Sequence, residues 1–201
     1  MSREGARHLK RSDPVLARII DKVGPYRGGP PLRGTHFAAL TRAIVYQQLS
    51  GKAAATILGR VHDIFGGRPP TPSQLLSTPD ATLRGAGLSS QKLSYLRDLA
   101  SRVDDGRLPV AKLGRLTDAR AIEVLTGVKG IGKWSAQVYL MFRLGRPDVL
   151  PDGDLGIQKA IQRAYGLKKL PDPARVQHIG AVWAPHRTLA SWYLWRSLDA
   201  D

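Results

Sequence analysis

Apolar residues recur along this chain at the three- and four-residue spacing of helical faces. Phe37, Leu40, Ile44 and Val45 share one side of HFAALTRAIVYQQLS, and Ile57, Leu58, Val61, Ile64 and Phe65 repeat the spacing in the next segment. Leu93, Leu96, Ala100 and Val103 form a third stripe, and Ile157, Ala160, Ile161, Ala164 and Tyr165 a fourth. Alternation of period two is scarce, so no sheet is expected. The predicted fold class is all-α, with about nine or ten helices counted from the stripes. Glycine- and proline-rich punctuators separate them: GPYRGGPPLRG, GGRPPTP, GAGLSS and GLKKLPDP. TPSQLL and STPDATL each read as helix starts, with Ser or Thr near the cap and a first-turn proline. Neither an internal repeat nor a low-complexity tract interrupts the pattern.

Length and composition narrow this picture. The 201 residues, 42% of them hydrophobic, suit one domain or two small lobes sharing a core. The 31 Lys and Arg against 16 Asp and Glu leave a formal net charge of +15. A soluble chain that basic usually meets a polyanion, most often nucleic acid. There is no cysteine, which excludes disulfides, thiolate zinc sites and iron–sulfur clusters. The histidines and acids form no zinc-ligand spacing; His36, His178 and His186 stand singly. The opening MSREGARHLKRSDP lacks the apolar core of a signal peptide, and no stretch is long and apolar enough to span a bilayer. The expectation is a cytoplasmic, nucleoid-associated protein with no membrane partner.

LTGVKGIGKWSAQVYLMF carries the first chemical signal. TDARAIEVL reads as a helix with Thr117 at its N-cap; the chain then turns through Gly127, Gly130 and Gly132, and a new helix begins at about Lys133. The start of that helix offers unpaired N–H groups and the positive end of a dipole, and Lys129 and Lys133 add charge. Together these make a seat for phosphate. A tight helix–helix turn with incidental lysines is the alternative.

LTGVKGIGKWSA resembles the helix–hairpin–helix motif that grips the DNA backbone without reading sequence, here spanning about 117–142. VLPDGDLGIQKA resembles the Gly/Pro-rich loop and aspartate of the HhH-GPD superfamily of DNA glycosylases. FAALTRAIVYQQLSGKAA, GLSSQKLSYLRDLA and WAPHRTLASWYLWR are similar to successive segments of its AlkA-type, 3-methyladenine DNA glycosylase II branch. The resemblance runs from about residue 14 to 198. It implies two helical lobes, one of approximately 37–131 and one combining 1–36 with 132–201, with the lesion pocket in the cleft.

The resemblance also assigns roles. Asp154 falls at the catalytic carboxylate, where an ionised acid stabilises an oxocarbenium-like sugar and helps water attack. Asp152 is its near competitor, and an Asp before LGIQKA also reads as a helix N-cap. Trp134 takes the place of the lysine that forms a Schiff base in bifunctional relatives, which implies a monofunctional, water-using enzyme, with Lys133 directed toward phosphate. Trp134 and Trp195 align with pocket tryptophans able to stack on a cationic alkylated purine, whereas Trp183 and Trp192 read as core. Gln48 aligns with the wedge that fills the gap left by an extruded base; Gln47 is the alternative and Leu49 a partner in the role. Lys129, Gly130, Gly132 and Lys133 would bind DNA. The carbonyls of Thr126, Val128 and Ile131 match positions that hold a structural monovalent cation, and catalysis needs no cofactor. Val138 and Arg196 replace aromatics of the best-known AlkA-type pocket, and no amino-terminal sheet domain is expected, which bears on substrate breadth. The implied protein is a monomer acting on double-stranded DNA with alkylated bases. The rival readings are a non-catalytic binder of DNA structure and a glycosylase for another damaged base, the latter disfavoured by Trp134 and the absence of cysteine.

Overall fold

The computed structural model describes residues 3–28 and 34–199, so residues 29–33 of the first punctuator lie outside the described ones. Every regular element among the described residues is helical. In chain order the α-helices are α1 (Arg3–Ser12), α2 (Pro14–Val23), α3 (His36–Tyr46), α4 (Gly51–Ile64), α5 (Pro72–Ser77) and α6 (Asp80–Gly85). They continue with α7 (Ser90–Asp104), α8 (Asp118–Thr126), α9 (Lys133–Phe142), α10 (Leu155–Ala164), α11 (Pro173–Gly180) and α12 (Arg187–Leu198). Two 3₁₀ turns, Val110–Arg115 and Ala181–Trp183, complete the set. The all-α expectation holds, with twelve α-helices among the described residues where the stripes suggested nine or ten. One reason is visible in α1, whose buried residues are Gly5 and Leu9 alone, so it shows no apolar stripe.

The chain divides into two compact units, Met1–Pro31 with Gln137–Asp201, and Leu32–Ala136. In the first, α2, α10 and α12 pack together with α1. Leu9, Leu16, Ile157, Ile161, Val176, Trp183, Tyr193 and Leu194 fill its core. Trp183 and Trp192 are buried there, as the sequence suggested. In the second, α7 packs against α3, α5 and α6, and α3 against α4. Leu40, Ile44, Val61, Leu75, Leu83, Leu96, Leu99 and Leu113 are buried within it, each worth about 2 kcal/mol of transfer free energy.

Helix starts follow the sequence signals with one exception. Thr71 and Gln74 form a reciprocal capping box with Pro72 in the first turn. At STPDATL the expected cap is absent: Pro79 itself precedes α6 and no side chain caps it. Ser77 and Thr78 instead donate their hydroxyls to the Gln74 carbonyl at 3.1 and 2.8 Å, closing the end of α5. The competition between a cap and a back-bond was won by the preceding helix.

Asp13 shows how the first unit locks. It is buried, caps α2 by accepting the N–H groups of Val15 and Leu16 at 2.9 and 3.1 Å, and accepts the Trp183 indole N–H at 2.7 Å and the Tyr165 hydroxyl. Burial and that contact with the carboxylate push the Tyr165 hydroxyl far above its ordinary pKa, so it stays a donor. Asp13→Ala would strand both aromatic donors and uncap α2. We expect a loss of about 3 kcal/mol in unfolding free energy, measured by urea denaturation.

Candidate functional site

In the first unit, the loop before α10 is fixed from several sides. The Gln137 side-chain amide donates to the Leu150 carbonyl at 3.0 Å, and the buried Thr188 hydroxyl donates to the Arg146 carbonyl at 2.7 Å while accepting the Val149 N–H at 3.0 Å. Arg187 makes a two-point ion pair with Asp148, which holds that carboxyl below its usual range. The loop delivers two acids to different surroundings. Asp152 is only 6% exposed and accepts the Gln177 amide at 3.0 Å. Asp154 is half-buried and caps α10, its Oδ1 accepting the Ile157 N–H at 2.8 Å. The same oxygen accepts the Trp195 indole N–H at 2.9 Å.

That contact gives Trp195 a task the sequence did not suggest: it orients the carboxylate, while its ring lies 6.0 Å from that of Phe142. Gly156 is a second residue that sequence reasoning missed. A Cβ there would stand 3.0 Å from Asp154 Oδ1 and 3.1 Å from Trp195 Cδ1, so glycine leaves room for the acid and the indole to meet. Its place directly after the DL pair was the available signal. His186 packs edge-on against His8 at 5.2 Å between ring centres, a structural contact.

In the second unit, α8 and the first turn of α9 bracket the glycine turn, with Thr117 capping α8 as expected. Of the three glycines, Gly130 has positive φ (80°), whereas Gly127 is right-handed helical (φ −64°). Gly130 is doubly constrained, because a Cβ would also collide with the Tyr95 ring at 2.1 Å. At Gly132 a Cβ would meet nothing within 4 Å, so no neighbour in the chain requires glycine there. The Lys129 N–H is not part of a phosphate seat, since it donates to Asp98 at 2.9 Å. Asp98, unanticipated from sequence, also accepts the Arg102 guanidinium at 2.8 Å. Burial alone would raise its pKa, but the Lys129 N–H and Arg102 together bring it below the ordinary value. A depressed carboxyl stabilises the fold above its unfolded pKa, and that contribution fades as pH falls through the folded one. The Val128 carbonyl accepts the Ile131 N–H at 3.0 Å, and the Thr126 hydroxyl back-bonds to the Ile122 and Glu123 carbonyls. Trp134 is 49% exposed near the start of α9, not core.

The end of α3 carries the candidate wedge. Gln47 ends the helix, and its side-chain amide is committed to the Gly130 carbonyl at 2.8 Å. Gln48 follows, exposed, with φ 56°; it is the sole non-glycine residue with positive φ among the described residues. Leu49 beside it is 38% exposed. Left-handed backbone after a helix is where glycine is usual, and a longer side chain there costs about 1–2 kcal/mol.

Residues 41–186 match the HhH-GPD superfamily base excision DNA repair protein family. The chain belongs to the HhH-GPD superfamily. This HhH-GPD protein is 34% identical over 193 residues to DNA-3-methyladenine glycosylase 1 of Schizosaccharomyces pombe, which covers 94% of the chain and 85% of that relative. The S. pombe 3-methyladenine DNA glycosylase Mag1, solved in complex with abasic DNA, superposes with a TM-score of 0.83 over 96% of this chain and 95% of that one. A DNA-3-methyladenine glycosidase from Bacillus halodurans, 38% identical, superposes with a TM-score of 0.85 over 96% and 88% of the two chains. The expected family and fold are thereby established.

The strain at Gln48 has a measurable consequence. Gln48→Gly is expected to raise the unfolding free energy by about 1 kcal/mol, because glycine adopts this backbone freely. Gly130→Ala is expected to lower it by about 2–3 kcal/mol, through both backbone strain and overlap with Tyr95. Urea denaturation of the two variants checks both signs.

Proposed function

We propose that this HhH-GPD protein is a monofunctional DNA glycosylase that removes alkylated bases of the 3-methyladenine class from double-stranded DNA and so begins base excision repair. The observation that carries the reading is the Asp154 carboxylate, held by the Ile157 N–H and the Trp195 indole at 2.8 and 2.9 Å. It is preorganised, and a preorganised anion stabilises positive charge developing on a sugar without reorganising during the reaction. Breaking the glycosidic bond sends its electron pair to the base. Water, oriented by the carboxylate, then bonds to the anomeric carbon and loses its proton to the surrounding solvent. An alkylated purine already carries positive charge, so it leaves without a strong general acid, and an electron-rich indole face suits it, with Trp134 and Trp195 as the candidates. Trp134 cannot form a Schiff base, so the products are the free base and an abasic site.

The exposed turn supplies the grip. Gly130 and Gly132 let a phosphate approach, and the ammonium groups of Lys129 and Lys133 attract it. The carbonyls of Thr126, Val128 and Ile131, neutral oxygen donors at the end of α8 and in the turn, suit a structural monovalent cation that would link hairpin and phosphate. No catalytic step uses it. Gln48, with Leu49 beside it, enters the space of the extruded nucleotide, and the protein acts as a monomer. A purely binding module is disfavoured because it needs no fixed carboxylate at Asp154.

Incubation of the protein with methylated DNA, followed by chromatography of released 3-methyladenine, tests the reading. Asp154→Asn keeps an acceptor for Ile157 and Trp195 but removes the charge, and should slow release by about 10²–10⁴-fold while binding to abasic DNA persists. Release unchanged in that variant would refute the assignment. Lys129→Ala and Lys133→Ala should each weaken binding uniformly across sequences and reduce the logarithmic salt slope by about 1. The slope is read from fluorescence anisotropy titrations at several salt concentrations.

A further inference from the structure

We propose that Lys92 and Gln47 are positioning residues that hold Gln48 ready for duplex opening by tying the end of α3 to the hairpin turn. The inference rests on the glycosylase reading above, with Gln48 as wedge. Its basis lies wholly within the second unit.

Lys92 sits in the first turn of α7, where the helix dipole disfavours a cation. Its ammonium is turned instead to the carboxyl end of α3, donating to the Val45 carbonyl at 2.6 Å and the Gln47 carbonyl at 2.8 Å. Those are carbonyls that the end of a helix leaves without helical partners. The Gln47 carbonyl belongs to the peptide that leads into Gln48, so holding its direction anchors one side of the rotation that stands at φ 56° in Gln48. The Gln47 side chain then reaches the Gly130 carbonyl at 2.8 Å. Gly130 has φ 80° and lies against the Tyr95 ring. Two left-handed residues in distant segments are thus joined through one glutamine. Lys92, Tyr95 and Asp98 recur at three-residue steps along α7, one face that serves the end of α3, Gly130 and the Lys129 N–H in turn. Burial depresses the Lys92 pKa, in keeping with an ammonium held against carbonyls, not in solvent. A phosphate gripped at the hairpin is therefore mechanically coupled to the residue that enters the stack.

A wedge matters only where a lesion must leave a duplex stack. The test compares release of 3-methyladenine from one preparation of methylated DNA, native and heat-denatured, by the unsubstituted protein and by Lys92→Met, Gln47→Leu and Lys92→Arg. Lys92→Met and Gln47→Leu should each slow release from native DNA about tenfold and change release from denatured DNA by less than about twofold. Lys92→Arg, still able to donate to both carbonyls, should recover most of the native-DNA rate. Gln48→Ala should also slow native-DNA release, and adding Gln47→Leu to it should cause little further loss. Equal losses on both substrates, no loss on native DNA, or full additivity in the double variant would overturn the inference. If the unsubstituted protein releases base from neither substrate, the glycosylase reading itself fails. Should Lys92→Met not fold, the Gln47→Leu and Lys92→Arg arms still decide.

Discussion

A helix leaves unpaired amides at its start and unpaired carbonyls at its end, and a chain built from many short helices meets that constraint repeatedly. The candidate acid, the candidate wedge and the hairpin each stand at such a junction. Asp154 caps α10, Gln48 follows α3, and the hairpin joins α8 to α9. The polar groups that must be satisfied for the fold to be stable are the same groups that aim the side chains. Fold and site are therefore not separable layers.

The two units meet the constraint in different ways. Around Asp154 the partners are an amide of its own helix and an indole from α12, with the loop behind it tied by Gln137, Thr188 and Arg187. This fixes one oxygen in place and leaves the acid half-exposed. Asp152, two residues earlier, is buried against Gln177 and serves the loop. In the second unit α7 is the support, and its first turn and middle brace the end of α3 and the turn after α8. The left-handed backbone at Gln48 is tolerated because those bonds hold it there, at a cost that a glycine would avoid.

Much of this was legible from residue order. Helical spacing named the all-α class, and the stripes at Phe37, Leu40, Ile44 and Val45 and at Ile157, Ala160 and Ile161 mark buried faces. Thr117, Thr71 and Asp154 announced helix starts through local capping chemistry, which needs only a few neighbouring residues. The glycine turn and the DGDL loop carried the family, because a turn of that shape and an acid at that cap are encoded within short stretches.

What the sequence could not decide were partnerships across long separations. Nothing local says that Trp195 donates to Asp154, that Asp98 takes the Lys129 amide, or that Gln47 binds Gly130 and so leaves Gln48 as the exposed neighbour. Nor does order along the chain show that Gly156 is small for the sake of an indole. Periodicity and capping depend on neighbours within a turn or two, so they survive in one dimension. Hydrogen bonds between distant segments arise only when helices pack, and packing buried Asp152 and tied down Gln47 while leaving Asp154 and Gln48 more open.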